Sequence, residues 1–415
     1  MTTTTLYGTL QLYDLTSPLQ FIISTRFILV FLVIGNVVTL GFYLVNFSAG
    51  ISFIFSLSTL IPAAFLLCRY TNAAAQRLSS PTLTAVVAVT FVNVTEFVLS
   101  LLALKDRSYQ VLKSGCVGSI LCNLLLVLGV AILVYFFGGG PKHVGIVDPH
   151  VDQPSPPGAQ SMAAASRHHL YASVSGIYYL LKTTGAMLLL AFVALLLPSL
   201  PYITAVYEQS AASGSSASAS PSPAPSTPVL QPSRWTALVS LTCYFFYLAA
   251  HLKGVEVANT LDRATLMGML GSTVFIGIPS YVLLNTLEET SRLWATTQRA
   301  IATLLLPLAS NVAELSIACQ QSYYGNFEVA VAVALGSALQ LVCCVLPMLV
   351  LVGGVFGRPL DMFIQPFSAA VLLISLLLAR SLLMTQSGRV HWLTGWVLCA
   401  AYLCISVALL AAPET

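Results

Sequence analysis

The chain has 415 residues with only 17 Lys+Arg and 14 Asp+Glu, a net charge of +3 and a mean hydropathy of +0.88. Charged residues make up 7% of the chain, against roughly 25% in a soluble globular protein. That excludes a soluble enzyme and a disordered chain, and the lack of any basic run leaves no electrostatic footprint for nucleic acid.

In chain order, the first 21 residues form a tail without a basic leader region, and no signal peptide is expected. A membrane-spanning helix needs ~20 mostly apolar residues. Eleven segments qualify: 22–45, 50–69, 82–104, 112–137, 172–197, 236–252, 264–285, 299–319, 328–353, 364–382 and 393–411. None alternates as a barrel strand would, so the expected fold is an all-α polytopic membrane protein. The expected division is a tail over 1–21, a leading helix within 22–49, a first membrane repeat over 50–204, a linker over 205–234 and a second repeat over 235–411.

Two connections are long. The one over 138–170 carries His143, His150, His168 and His169 without metal-ligand spacing. The other, QSAASGSSASASPSPAPSTPVLQPS from Gln209 to Ser233, reads as a flexible, disordered Ser/Ala/Pro linker between two halves. Basic residues divide eight to seven between alternate connections, so they set no orientation. The nine cysteines all fall within or at the ends of apolar segments and imply no disulfide framework; they read as small packing residues.

Ionisable residues inside spans cost ~2.5–3.5 kcal/mol at mid-helix and default to function. The clear cases are Glu96 and Glu314, in matching contexts: Asn93-Val94-Thr95-Glu96 and Asn311-Val312-Ala313-Glu314. The three-residue separation places each Asn and Glu on one helical face. Gly118-Ser119 follows Glu96 by 22 residues (118 − 96), and Gly336-Ser337 follows Glu314 by the same interval (336 − 314). Asn123 and Gln340 continue those polar faces. The two copies lie five spans apart, and an odd offset reverses direction. That is the pattern of an inverted repeat with a site at its interface, a secondary-transporter architecture.

The residue types define the chemistry. Two carboxylates with amide and hydroxyl oxygens form a hard-oxygen cage of the kind calcium takes. No Cys or His joins the pattern, which argues against a soft thiolate site. One divalent cation or two protons would neutralise the pair, and an empty, doubly ionised site is the most expensive state. Gly115, Gly118 and Gly336 are expected to let helices approach closely there. The plainer alternative is that the Asn/Glu pairs serve only as interhelical glue. No nucleophile–base pair is visible in the spans, so no enzyme and no resident cofactor is expected.

With these motifs in place, the chain resembles the cation/proton exchanger family, the calcium/proton antiporters of the calcium/cation antiporter superfamily. The family's G-N-A-V-E and G-N-A-A-E-H motifs read Val92–Glu96 and Ser310–Leu315 here, and GSILCNLLLVLG (Gly118–Gly129) is close to its G-S-I-L-S-N-L-L-L-V-L-G. Gly357-Arg358-Pro359-Leu360 is similar to its G-x-P-L turn. The resemblance implies eleven spans, one leading helix plus two inverted five-helix repeats. It implies Glu96 and Glu314 as acidic ion ligands, with Asn93, Asn311, Ser119, Ser337 and Gln340 as the neutral lining. It also implies calcium/proton exchange in a vacuole-like acidic membrane. Val92, Ser310, Leu315 and Lys113 depart from the family pattern, standing where Gly, Gly, His and Gln are expected. Lys113 would either pair with a site carboxylate or snorkel to water. A manganese- or sodium-coupled antiporter, or a non-transporting scaffold or sensor, is the alternative reading.

Overall fold

The computed structural model describes residues 17–76, 91, 93–138, 171–173, 177–196, 227–252, 263–383 and 389–411. In chain order these form α1 (Ser17–Leu44), α2 (Ala49–Gln76), α3 (Val94–Lys105) and α4 (Tyr109–Leu121), which runs through a π-helical turn (Cys122–Val127) into α5 (Leu128–Phe137). A short strand β1 (Tyr171–Ser173) precedes α6 (Ile177–Leu196), and α7 (Thr227–Leu252) closes the first half. The second half has α8 (Arg263–Leu293), α9 (Gln298–Ser310), α10 (Val312–Tyr323) and α11 (Phe327–Gln340). A second π-helical turn (Leu341–Val345) joins α11 to α12 (Leu346–Val355), followed by α13 (Pro366–Leu383), β2 (Arg389–His391) and α14 (Trp392–Ala411).

Among the described residues, seven helices are long and apolar enough to cross a bilayer, and the bent pair α9–α10 brings the number to eight. Lipid offers no hydrogen bonds to a bare backbone, so helices are the form these apolar segments take. The polytopic helical class expected from sequence is the one observed. Of the expected spans over 82–104, 172–197 and 236–252, residues 82–90, 92, 174–176 and 197 lie outside the described residues, and the described helical parts belong to α3, α6 and α7, outside that set.

Three boundaries differ from expectation. The span over 299–319 is two helices meeting at Asn311 with a 49° bend. The span over 172–197 opens on a strand, with Tyr171–Ser173 pairing antiparallel to Arg389–His391. The linker expected over 205–234 gives way to helix at Thr227. Pro228, in that helix's first turn, has its φ preset and needs no N–H there. The buried Ser233 hydroxyl then accepts from the Met362 amide at 3.1 Å, fastening this end of α7 to the segment after α12. The rest of the linker, the histidine-bearing 138–170 segment beyond Gly138, and the side chain of Lys182 lie outside the described residues.

The main core gathers α4, α5, α11 and α12 with both π-turns, and a second cluster joins α2, α8 and α9. Close crossings carry glycines. A Cβ at Gly118 would overlap the Thr303 carbonyl and come within 2.6 Å of Pro307 Cγ, so α4 and α9 meet backbone against backbone here. Pro307 has no N–H to engage the Thr303 carbonyl one turn back, which leaves that oxygen facing Gly118. Gly129 and Gly395 make the same kind of contact between α5 and α14. Gly115 has ordinary space, with the nearest atom 3.9 Å from a would-be Cβ, so it is not needed for close approach.

Candidate functional site

The matched motifs sit on matched structure. Every boundary of the α3–α5 unit recurs 218 residues later (312 − 94) or within one residue of it: Val94 and Val312, Lys105 and Tyr323, Tyr109 and Phe327, Leu128 and Leu346, Phe137 and Val355. The backbone before each acidic helix is the same, with φ −80° and ψ 9° at Asn93, and φ −85° and ψ 13° at Asn311. The turn that ends each acidic helix carries a residue with positive φ, Arg107 at 59° and Gly325 at 85°. Each falls 11 residues after its glutamate (107 − 96 and 325 − 314).

This geometry puts both carboxylates where helix ends stabilise them. Glu96 and Glu314 are each the third residue of their helix. A helix N-terminus carries free N–H groups and the positive end of the macrodipole, which favours an anion. Neither Asn93 nor Asn311 caps its own helix with its side chain. Both reach instead into the other half of the chain. Asn93 Nδ2 donates to Gln340 Oε1 at 2.9 Å. Asn311 Nδ2 donates to Ser119 Oγ at 3.1 Å and to the Pro307 carbonyl at 2.9 Å, and Asn311 Oδ1 accepts from Asn123 Nδ2 at 2.7 Å.

All seven expected site residues are buried, none more than 4% exposed. Glu96 and Glu314 lie within electrostatic reach of one another. Their four carboxylate oxygens lack hydrogen bonds among the described residues. The Ser310 hydroxyl lies beside Glu96 without forming a well-aligned bond to it. Ser337, one turn before Gln340, is fully buried with its hydroxyl also unsatisfied. Buried polar atoms are nearly always satisfied, and an exception calls for an ion, a water or strain to explain it. Here the orphaned oxygens of two acids and a serine are what a hard cation or protons would satisfy.

A small cavity of about 20 Å³ opens beside Glu96, room for one water-sized particle. Its polar lining is Glu96, Ser100, Cys116, Ser119 and Ser310. Cys116 lines this cavity although no cysteine belongs to the matched motifs. Ser100 sits one turn after Glu96 on the same helical face, a signal already present in the sequence. Its contact with Cys116 depends on how α3 packs on α4, which sequence spacing does not reveal.

Lys113 resolves in neither of the two expected ways. Its Nζ meets Asp361 Oδ1 at 2.5 Å, with the side chains 18% and 13% exposed, and lies 5.9 Å from the Phe363 ring centre. Asp361 also accepts from the Phe363 amide at 2.7 Å. The cation is neutralised by a residue of the extended segment after α12, not by a site carboxylate. Glu288 pairs with Arg292 at 2.6 Å on an exposed helix end, an arrangement worth little to stability.

A bundle of apolar helices with two buried acids, each in the first turn of its helix, defines an integral membrane protein of the transporter class. The family profile described as "Sodium/calcium exchanger protein" matches residues 48–253 and 264–411. The chain therefore belongs to that family, within the calcium/cation antiporter superfamily. The vacuolar calcium ion transporter of Schizosaccharomyces pombe is 26% identical over 400 residues, covering 93% of this chain and 84% of the relative. The Ca(2+)/H(+) antiporter of Aphanothece halophytica is 26% identical over 343 residues, covering 79% and 82%. Among solved structures, native YfkE superposes with a TM-score of 0.69 at 18% identity, covering 93% of this chain and all of that one. The H+/Ca2+ exchanger CAX superposes with 0.63 at 15% identity, covering 94% and 89%. At those identities the structures speak for the fold alone.

Proposed function

We propose that this chain exchanges calcium for protons across the membrane of a vacuole-like acidic compartment. Glu96 and Glu314 are the acidic ligands, one from each half of an inverted repeat. Asn93, Asn311, Ser119, Ser337 and Gln340 are the neutral lining. The observation that carries this reading is the pair of buried carboxylates whose oxygens find no donor among the described residues. The relatives' names add calcium and proton as the cargo. No resident cofactor is required.

The exchange follows from charge. Two ionised acids in a low-dielectric interior repel each other and have lost their water. A divalent cation cancels both charges at once, and so do two protons. Either occupied form can be carried through the bilayer interior, whereas the doubly ionised form is penalised. Passage without cargo is thereby suppressed, which couples the two fluxes. The amide chain Asn123–Asn311–Ser119 and the pair Asn93–Gln340 tie the two halves at the site. A change in one half is then felt by the ligands of the other.

The test is reconstitution in liposomes with an acid interior, following calcium entry with a trapped dye. The parent protein is expected to accumulate calcium only while the gradient lasts, and Glu96→Gln and Glu314→Gln are each expected to abolish entry. Intact flux in either variant would overturn the shared-site assignment. Uptake driven by sodium and indifferent to pH would replace the proton as the counter-ion. Binding of calcium without flux would favour the sensor reading.

A further inference from the structure

Asp361 is held in place where it meets Lys113. The extended segment after α12 buries Leu360, Met362 and Ile364 in the main core. Extended backbone alternates its faces, so Asp361 and Phe363 share the opposite face, and both approach the Lys113 ammonium on α4. The Ser233 hydroxyl accepts from the Met362 amide at 3.1 Å, and Asp361 Oδ1 accepts from the Phe363 amide at 2.7 Å. The carboxylate is thus fixed by its own backbone. Lys113 in turn lies alongside the cavity at Glu96. The α4 residues that line this cavity are Val111, Leu112, Gly115, Cys116 and Ser119, a run of about 12 Å along the helix axis. Lys113 falls inside that run, about 9 Å along the axis from Ser119. The charged residues of the neighbouring turn, Lys105, Asp106 and Arg107, are exposed, and water screens them. The Lys113–Asp361 pair is largely withdrawn from that screening.

We propose that Asp361 sets the calcium affinity of the site by cancelling the charge of Lys113. An ammonium beside the cavity repels a divalent cation at the two glutamates, and the fixed carboxylate removes that repulsion. Asp361 acts through Lys113 and is a positioning residue, not a ligand. The proposal rests on Glu96 and Glu314 holding calcium, as proposed above. It also accounts for a departure from the family pattern: Lys113 stands where a neutral glutamine is expected, and Asp361 restores the neutral balance from the other half of the chain. The sign of the effect separates charge from packing. Loss of Asp361 leaves an unopposed positive charge, and loss of Lys113 leaves an unopposed negative one. A unit charge roughly 10 Å from a divalent ion, at an effective dielectric constant of about 20, shifts its binding constant about tenfold or more. Loss of both charges returns the site close to its starting potential, whereas a purely structural tie would weaken the site whichever partner is lost.

The experiment measures calcium binding to the purified full chain by titration calorimetry, and the KM and maximal rate of calcium uptake in liposomes, each per folded protein. Asp361→Asn is expected to raise the calcium Kd and KM about tenfold or more, with a much smaller change in maximal rate. Lys113→Gln is expected to bind calcium as tightly as the parent or more tightly. The double variant Asp361→Asn with Lys113→Gln is expected to return toward the parent, and Asp361→Glu, which keeps the charge, to stay near it. No rise in Asp361→Asn, a rise that persists in the double variant, or a rise in Lys113→Gln alone overturns the proposal and leaves the exchange reading standing. A parent that binds calcium without carrying it overturns exchange, and the Kd values still decide the role of Asp361. A parent that neither binds nor carries calcium overturns both.

Discussion

Gly118→Ala tests the packing on which the site depends. The new methyl would overlap the Thr303 carbonyl and approach Pro307 Cγ to 2.6 Å. Relaxed carbon contacts lie near 3.5–4.0 Å, so α4 and α9 must part by on the order of 1 Å. The carbonyl belongs to the backbone and cannot rotate away. Overpacking of this kind costs ~1–3 kcal/mol. The next residue, Ser119, accepts from Asn311 at 3.1 Å, and parting by ~1 Å breaks that bond for about another 1 kcal/mol. The expected loss is roughly 2–4 kcal/mol, together with a fall in calcium uptake larger than the fall in folded protein. Gly115→Ala is the matched control three residues away. Its methyl would sit 3.9 Å from the nearest atom, so the better helix propensity should leave it neutral or up to ~1 kcal/mol more stable. Thermal unfolding in detergent, read by gel filtration after heating, compares the two with the parent. Equal melting of Gly118→Ala and the parent, or equal losses in both variants, would refute the close-crossing argument.

Other expectations follow from the same contacts. Asn311→Ala removes three hydrogen bonds, including those to Ser119 and Asn123, and should cost ~2–4 kcal/mol while reducing uptake at least about tenfold; wild-type flux would show that the cross-half amide chain is dispensable. Lys113→Met and Asp361→Asn should each destabilise by ~1–3 kcal/mol, because each strands a largely buried charge, and the double variant should lose less than the sum of the two; strict additivity in melts would mean the ions do not interact. Calcium at a hundred times its Kd should stabilise the parent by about 2.7 kcal/mol, and Glu96→Gln and Glu314→Gln should lose that increment; a full calcium shift in both variants would place the ion elsewhere.

The acids, their amide neighbours and the Gly-Ser pairs were legible in the sequence because a repeat shows itself as identical intervals. The helical class was legible because long apolar runs permit little else in lipid. What escaped depends on the backbone or on distant packing. The break at Asn311 interrupts a continuous apolar stretch without a Gly or Pro at the junction itself; the nearest proline, Pro307, lies four residues earlier. Lys113 and Asp361 are 248 residues apart, so hydrophobic periodicity could not join them. Cys116 reads as a packing residue because its place beside the cavity depends on which face of α4 meets Ser100. The β1–β2 pairing likewise joins two three-residue strands from the two halves of the chain.

The two π-turns give each long helix two directions of address. A π-turn accommodates one residue more than the regular helix would, so the residues after Cys122–Val127 and after Leu341–Val345 are rotated relative to those before. Upstream, α4 and α11 present Ser119 and Gln340 to the interior. Downstream, α5 turns Gly129 against α14, and α12 brings Gly354 to Arg234 at the end of α7. Removing a single residue from either turn would restore regular winding and swing everything beyond it by about 100°. Ser119 and Gln340 would stay in place while the far half of the helix turned its apolar face away from its partner. In this chain, one residue of surplus length per helix is what allows a single rod to line the buried polar interior and to bind the surrounding wall.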